Sequence, residues 1–341
     1  HGTARANFRA DTYDFNGTFA SHEIAGELDV HNIGSQLNIE INRASALSLK
    51  NFMNELGALT GLNPLANEWI YGKAVAQNYY IENLHAKIDL KDPRPIAENV
   101  SATAYAQDLT IKFQPQIEAV TVKDANITLK NDYLSFTLNE PKFKGKSLEG
   151  SGVRIGGLFE ERPVVYLDLR TKESLGKDLV DILQSYGINE PVYPLGGGID
   201  ARVLIDVDVE KESAKVDANV TLKDADLMIS KAKFHSKVAR VHITEKKIDI
   251  KDANLQNEIF NATASGSIDI ATRKAKFNSV IHSFNLSPNG KEILKFGDAR
   301  DNISLDFSGK APVLSSQFLG AKMSFGERIE ISSPDISGIL P

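Results

Sequence analysis

Cysteine is absent from the 341 residues. That removes disulfide scaffolds, thiolate zinc sites, thiol nucleophiles and iron–sulfur clusters together. It fixes no redox compartment, because a cysteine-free chain suits the cytosol and a bacterial periplasm alike. Methionine occurs three times and tryptophan once, and one tryptophan is thin provision for the aromatic platforms of a polysaccharide-cleaving cleft. Apolar runs stop at about four to six residues, far short of the roughly 20 that cross a bilayer. No basic start leads into an apolar signal segment. The chain opens His1-Gly2-Thr3 without Met and reads as a piece of something longer, with any anchor upstream. A basic excess is missing too. Against 39 Lys and Arg stand 45 Asp and Glu, a net charge of −6, which argues against nucleic acid as a partner.

What is present is a globular composition, 42% hydrophobic and 25% charged, long enough for two domains or one large β body. The dominant signal is strict alternation, which puts one set of side chains on each face of a strand. It runs through Leu37–Asn42, Ile127–Lys130, Leu134–Leu138, Val203–Glu210, Val216–Lys223 and Ile303–Phe307. Short clusters such as Lys130-Asn131-Asp132, Thr244-Glu245-Lys246-Lys247 and Ala271-Thr272-Arg273-Lys274 separate such segments and suit hairpins between antiparallel neighbours.

Two stretches carry helical spacing instead: Leu49, Phe52, Met53, Leu56 and Leu59, then Leu175, Leu179, Ile182, Leu183 and Tyr186. Each ends in a Gly, an apolar residue, an Asn and a Pro (Gly61 to Pro64, Gly187 to Pro191), a stop signal. Gly72, or Gly196-Gly197-Gly198, then restarts the strands. The motif repeats from Leu49 to Leu175, a period of about 126 residues. The string Lys-Asp-Ala recurs at Lys123, Lys223 and Lys251 and reads as hairpin chemistry or a second echo of the repeat. The expected fold is mainly β: an elongated, curled antiparallel sheet forming a groove, with two short amphipathic helices. Its expected parts are leading strands over 1–44, a helix-led module over 45–170 and a second over 171–341, sharing one sheet.

Catalytic constellations do not emerge. The histidines His1, His22, His31, His85, His235, His242 and His282 show no zincin spacing. There is no nucleophile elbow and no phosphate loop. Asp206 and Asp208 share a strand face, which reads as a solvated polar face. No metal site, cofactor or enzymatic activity is expected. Asn16, Asn99, Asn126, Asn219, Asn261, Asn285 and Asn302 stand in N-x-S/T strings; Asn16, Asn126 and Asn219 also have Asp two residues upstream, as one bacterial glycosylation system uses, though alternating polar faces generate the string by chance.

The segment Ser174 to Ile188, continuing through Pro191 and Gly196-Gly197-Gly198 into Ile199 to Val209, resembles the helix, glycine and meander unit of the AsmA-like family, and within it the YhdP branch. Asn67-Glu68-Trp69-Ile70, Tyr79 to Leu84 and Ala104 to Phe113 resemble the central region of the same proteins. The resemblance covers about residues 45 to 280. It implies a periplasmic segment of a Gram-negative envelope protein, tethered to the inner membrane by an upstream helix, which passes phospholipid between inner and outer membranes along a β-groove. It implies no catalytic residues. Its implied partners are phospholipid or another acyl lipid and components of both membranes.

The residues suit that role, since apolar burial of roughly 25 cal/mol per Å² needs no polar motif. Candidate lining positions are Val203, Ile205, Val207, Val209, Val220, Leu222, Leu227, Ile229, Val241, Ile243, Ile248 and Ile250. The alternatives are a structural or adhesive β-rich module with a dry core and, last, a polysaccharide-acting enzyme.

Overall fold

The computed structural model describes residues 2–9, 12–21, 23–51, 53–54, 62–92, 99–112, 118–176, 192–211, 213–229, 232–287, 290–292, 294–325 and 329–333. The protein is mainly β, as the alternation predicts. The chain divides into two units: residues 1–170 with 204–215, and residues 171–203 with 216–341.

In unit 1 the strands β1 (Gly2–Arg9), β2 (Thr12–Ala20), β3 (Ile24–Ile33) and β4 (Gln36–Ala46) form an antiparallel meander. Residues 50–51 and 53–54, within the first predicted helix, are helical; Phe52, Leu56 and Leu59 lie outside the described residues. A five-residue helix α1 (Pro64–Glu68) and a π-helical turn (Trp69–Lys73) then lead into β5 (Ala74–Val75). The meander resumes with β6 (Asn78–Asp89), β7 (Val100–Ile111), β8 (Val120–Lys130) and β9 (Tyr133–Asn139). Two short strands, β10 (Lys142–Phe143) and β11 (Lys146–Ser147), precede β12 (Gly152–Gly156) and β13 (Val164–Ser174). β6 pairs with β4, so the helical insert does not break the ladder.

Asn63-Pro64 opens α1. The Asn63 side chain accepts a hydrogen bond from Leu65 N–H at 2.8 Å, and Pro64 occupies a first-turn position whose missing N–H costs nothing. Asn63 and Pro64, which the sequence marks as part of a helix stop, therefore begin a helix. Asn63 also donates to the carbonyls of Glu160 and Glu161 at 2.9 and 3.2 Å, fixing the insert to the loop before β13. Trp69 and Ile70 enter a closed core with Leu109, Ile155, Leu158 and Val165, each of the last four no more than 1% exposed.

Unit 2 takes up β14 (Val192–Asp208) and β15 (Ser213–Ile229) outside 204–215, and continues as β16 (Ala232–Thr244), β17 (Lys247–Gln256), β18 (Phe260–Asp269) and β19 (Lys274–Leu286). The short β20 (Leu294–Phe296) and the longer β21 (Ala299–Asp306) both pair with β19. β22 (Val313–Ser316), β23 (Ala321–Phe325) and β24 (Ile329–Ser332) complete it. The Gly196 to Gly198 run lies inside β14 rather than at its entry. Of the second predicted helix only Leu175 and Gly176 are described; Leu179, Ile182, Leu183 and Tyr186 lie outside the described residues.

The turns follow their residues. Asn131 and Asp132, both at positive φ, make the two-residue link of β8 to β9, the conformation that matches strand twist. The Lys-Asp-Ala strings, in contrast, lie inside β8, β15 and β17 and join no strands. At each of them the spacing of inward residues changes from two to three: Val122 to Ala125, Leu222 to Ala225, Ile250 to Ala253. Asp224 and Asp252 adopt positive φ, 45° and 52°, a region Asp enters more readily than most residues. The alanine that follows is buried, Ala225 completely. In β17 the step is a bulge against β18, where the register shifts between Ile250 and Ala253, and it bends the strand without ending it. At β8 the register with β7 and β9, and at β15 the register with β16, runs on unshifted.

Candidate functional site

In unit 2 the inward residues of successive strands line up in rows across the sheet. One row runs Val220, Val241, Ile250, Gly266, Phe277, Ile303. Its neighbour runs Ala218, Ile243, Ile248, Ile268, Ala275, Leu305, Leu314. Apart from Ala218, Ala275 and Gly266, these rows are Val, Ile, Leu and Phe, and every one of those larger side chains is only half-buried. At Gly266 a Cβ would strike the Lys276 carbonyl oxygen and the Phe277 ring, so the absent side chain lets Phe277 lie across the row.

The twelve predicted positions separate. Val220, Val241 and Ile250 stand side by side in one row, with Ile243 and Ile248 beside them. Val203 is half-buried. Leu222 packs on a small cluster of Leu175, Ala225 and Leu227, in which Leu227 is buried. Ile205, Val207 and Val209 pack against the closed core of unit 1. Ile229 pairs with Ala232 through its backbone, and its side chain lies outside the described residues.

Sequence reasoning missed Ile268, Phe277, Ile303, Leu305 and Leu314, although the alternation of Ile303–Phe307 had marked that strand. It also missed five phenylalanines along one margin of the same face. Phe234 meets Phe260 edge-on at 6.3 Å between centroids, and Phe260 meets Phe284 at 6.5 Å. Phe284 stacks on Phe296 at 5.0 Å, and Phe296 meets Phe318 at 5.3 Å. Phe260, Phe284 and Phe296 cover buried Ala262, Ile281 and Ala299. Phe260 and Ile268 are eight residues apart on one strand, so the aromatic row and the aliphatic rows share a face.

One carboxylate interrupts this face. Asp301, 5% exposed, stands at the inward register of β21 with Ile303 and Leu305. It accepts hydrogen bonds from Ser316 Oγ at 2.6 Å and from Phe318 N–H at 2.9 Å. The opposite face is polar. There Asn219, His242, Asp249, Lys251 and Ser267, together with Ile250 and Gly266, line an open hollow of about 510 Å³, and His242 contacts Asp217 at 3.2 Å.

Of the two carboxylates on one strand face, Asp208 is engaged by Lys211 Nζ at 2.7 Å and Lys211 N–H at 3.1 Å. Those bonds hold it below the ordinary aspartate range. Among the described residues no three of His, Asp and Glu gather as a metal-binding group, and no helix is long and apolar enough to cross a membrane.

The YhdP family model, whose description is YhdP protein, matches residues 95–313, more than half of the chain. The chain belongs to this family, the AsmA-like branch that its sequence resembles. No curated protein and no solved structure matches it. The YhdP match begins ahead of β7 in the sequence and ends at the first residue of β22. It takes in all twelve predicted positions, both aliphatic rows except Leu314, and every member of the aromatic row except Phe318.

Proposed function

We propose that this YhdP-family chain holds phospholipid acyl chains on the apolar face of unit 2, as a periplasmic segment that passes lipid between inner and outer membranes. An upstream segment would tether it to the inner membrane. The observation that carries the reading is the half-buried state of Val220, Val241, Ile243, Ile248 and Ile250. Aliphatic side chains that close a core lose nearly all contact with water, as those of unit 1 do. These keep surface to offer. Each methylene buried against them contributes about 0.8 kcal/mol, so a sixteen-carbon chain covered along half its length gains roughly 6 kcal/mol. The site needs no cofactor and performs no bond chemistry.

Native mass spectrometry of the gently purified chain tests this directly, with co-purifying phospholipid as the expected result. Fluorescence of cis-parinaric acid supplies the complementary binding assay. Val241→Asp and Ile250→Asp put charges where acyl chains would lie, and are expected to abolish the signal while far-UV ellipticity is retained. A lipid-free protein that also ignores parinaric acid would sink the proposal and leave a dry structural or adhesive module. The closed core around Trp69 and Ile155 suits that second reading for unit 1.

A further inference from the structure

Phe318 lies in the turn between β22 and β23 and is 49% exposed. Turns favour small polar residues, and an aromatic side chain left half in water forgoes much of the burial that makes it useful. This ring is nonetheless held firmly. Asp301 accepts from Phe318 N–H and from Ser316 Oγ, Ser316 Oγ in turn accepts from Leu319 N–H at 3.0 Å, and Asn302 donates to the Gln317 side chain at 2.7 Å. A carboxylate within an apolar face is costly unless its lone pairs are satisfied. What the Asp301 carboxylate secures is the position of one ring, set against Phe296 on one side and open on the other.

We propose that Phe318 is a contact residue for an acyl chain seated on this face, and that Asp301 is its positioning residue. The inference rests on the acyl-chain reading above. A ring already fixed in place loses little freedom when a chain settles against it, which is how a preorganised contact adds affinity. Phe318 thereby ends the row that begins at Phe234 and bounds the aliphatic rows at that margin.

The test uses the full chain carrying Phe318→Trp and Trp69→Phe, so that the introduced indole is the only one. A dibrominated stearic acid quenches an indole it touches, plain stearic acid serves as control, and cis-parinaric acid reports binding independently. The expected result is quenching by the brominated acid, and not by stearic acid, over the concentrations at which parinaric acid binds. Parinaric acid bound without bromine-dependent quenching overturns the contact and leaves the acyl-chain reading standing. No parinaric acid binding overturns both.

For Asp301, the milder changes Asp301→Asn and Ser316→Ala are added to that background, each keeping part of the network. Quenching is expected to fall roughly fivefold, the factor that loss of one such bond carries, with parinaric acid affinity and thermal unfolding little changed. Unchanged quenching in both overturns the positioning role.

Discussion

The contrast between a closed and an open apolar face can be measured with two isoleucines. Ile155 is 1% exposed, between Leu134 and Val165 on neighbouring strands. Ile250 is half-buried, between Val241 and Gly266. Replacing either by Ala removes about three carbon groups, worth roughly 2.4 kcal/mol at about 0.8 kcal/mol each when fully buried. At Ile155 the surrounding core leaves a cavity, which raises the cost to about 3–4 kcal/mol. At Ile250 only part of the transfer term applies and no enclosed cavity forms, so the cost is roughly 1 kcal/mol. Urea unfolding separates the two. Trp69 belongs to the same core cluster as Ile155, so its fluorescence reports that core, while far-UV ellipticity reports the strands of both units. With a slope of about 2–3 kcal/mol per molar urea, Ile155→Ala is expected to lower the fluorescence midpoint by about 1–2 M. Ile250→Ala is expected to lower the ellipticity midpoint by about a third of that or less. Equal costs at the two sites would refute the reasoning, because Ile250 would then be closed core and unit 2 would have no apolar surface to offer.

Other outcomes follow from single contacts. Asn63→Ala removes the α1 cap and two bonds to the Glu160 and Glu161 carbonyls; a loss of about 1–3 kcal/mol is expected in tryptophan-detected unfolding, and Asn63→Asp, which keeps the cap alone, should fall between. His31 Nδ1–H donates to the Asp14 carboxylate at 2.8 Å, and that bond raises its pKa above the ordinary histidine value. The stabilisation is therefore complete below about pH 6.5 and is lost as pH rises through the raised value. Proton NMR should show His31 titrating late, and Asp14→Asn should return it to the ordinary range. Asp224 occupies positive φ, so Asp224→Gly is expected to stabilise by up to about 1 kcal/mol and Asp224→Ile to destabilise by at least as much, read as shifts in thermal midpoint.

The strands and tight turns were legible because alternation and turn residues are local signals. Asn131-Asp132 and Glu245-Lys246 connect strands as their sequences suggest. The Lys-Asp-Ala strings misled, because a change of spacing from two to three looks like the end of a strand when only the order of residues is known. Asn63-Pro64 has two meanings, stop and start, and the second depends on the Glu160 and Glu161 carbonyls nearly a hundred residues away. The candidate site was half legible. Alternation assigns Ile205 and Ile250 alike to an apolar face, yet only packing shows that Ile205 meets a closed core. The aromatic row was invisible, since Phe234, Phe260, Phe284, Phe296 and Phe318 stand 12 to 26 residues apart and meet only through strand register.

The three-residue step at Ile250, where the register against β18 shifts, also governs what the sheet can tolerate as its chain changes length. In an uninterrupted strand the face of a side chain is a matter of odd or even count, so one lost residue turns everything beyond it over. A strand that already holds a bulge has somewhere to absorb the loss. Deleting Asp252 would leave Ile250 and Ala253 two positions apart, and each residue on either side would still face the way it faces now. The bulge is in this sense a phase joint, through which β17 can gain or shed a single residue and keep its apolar side apolar.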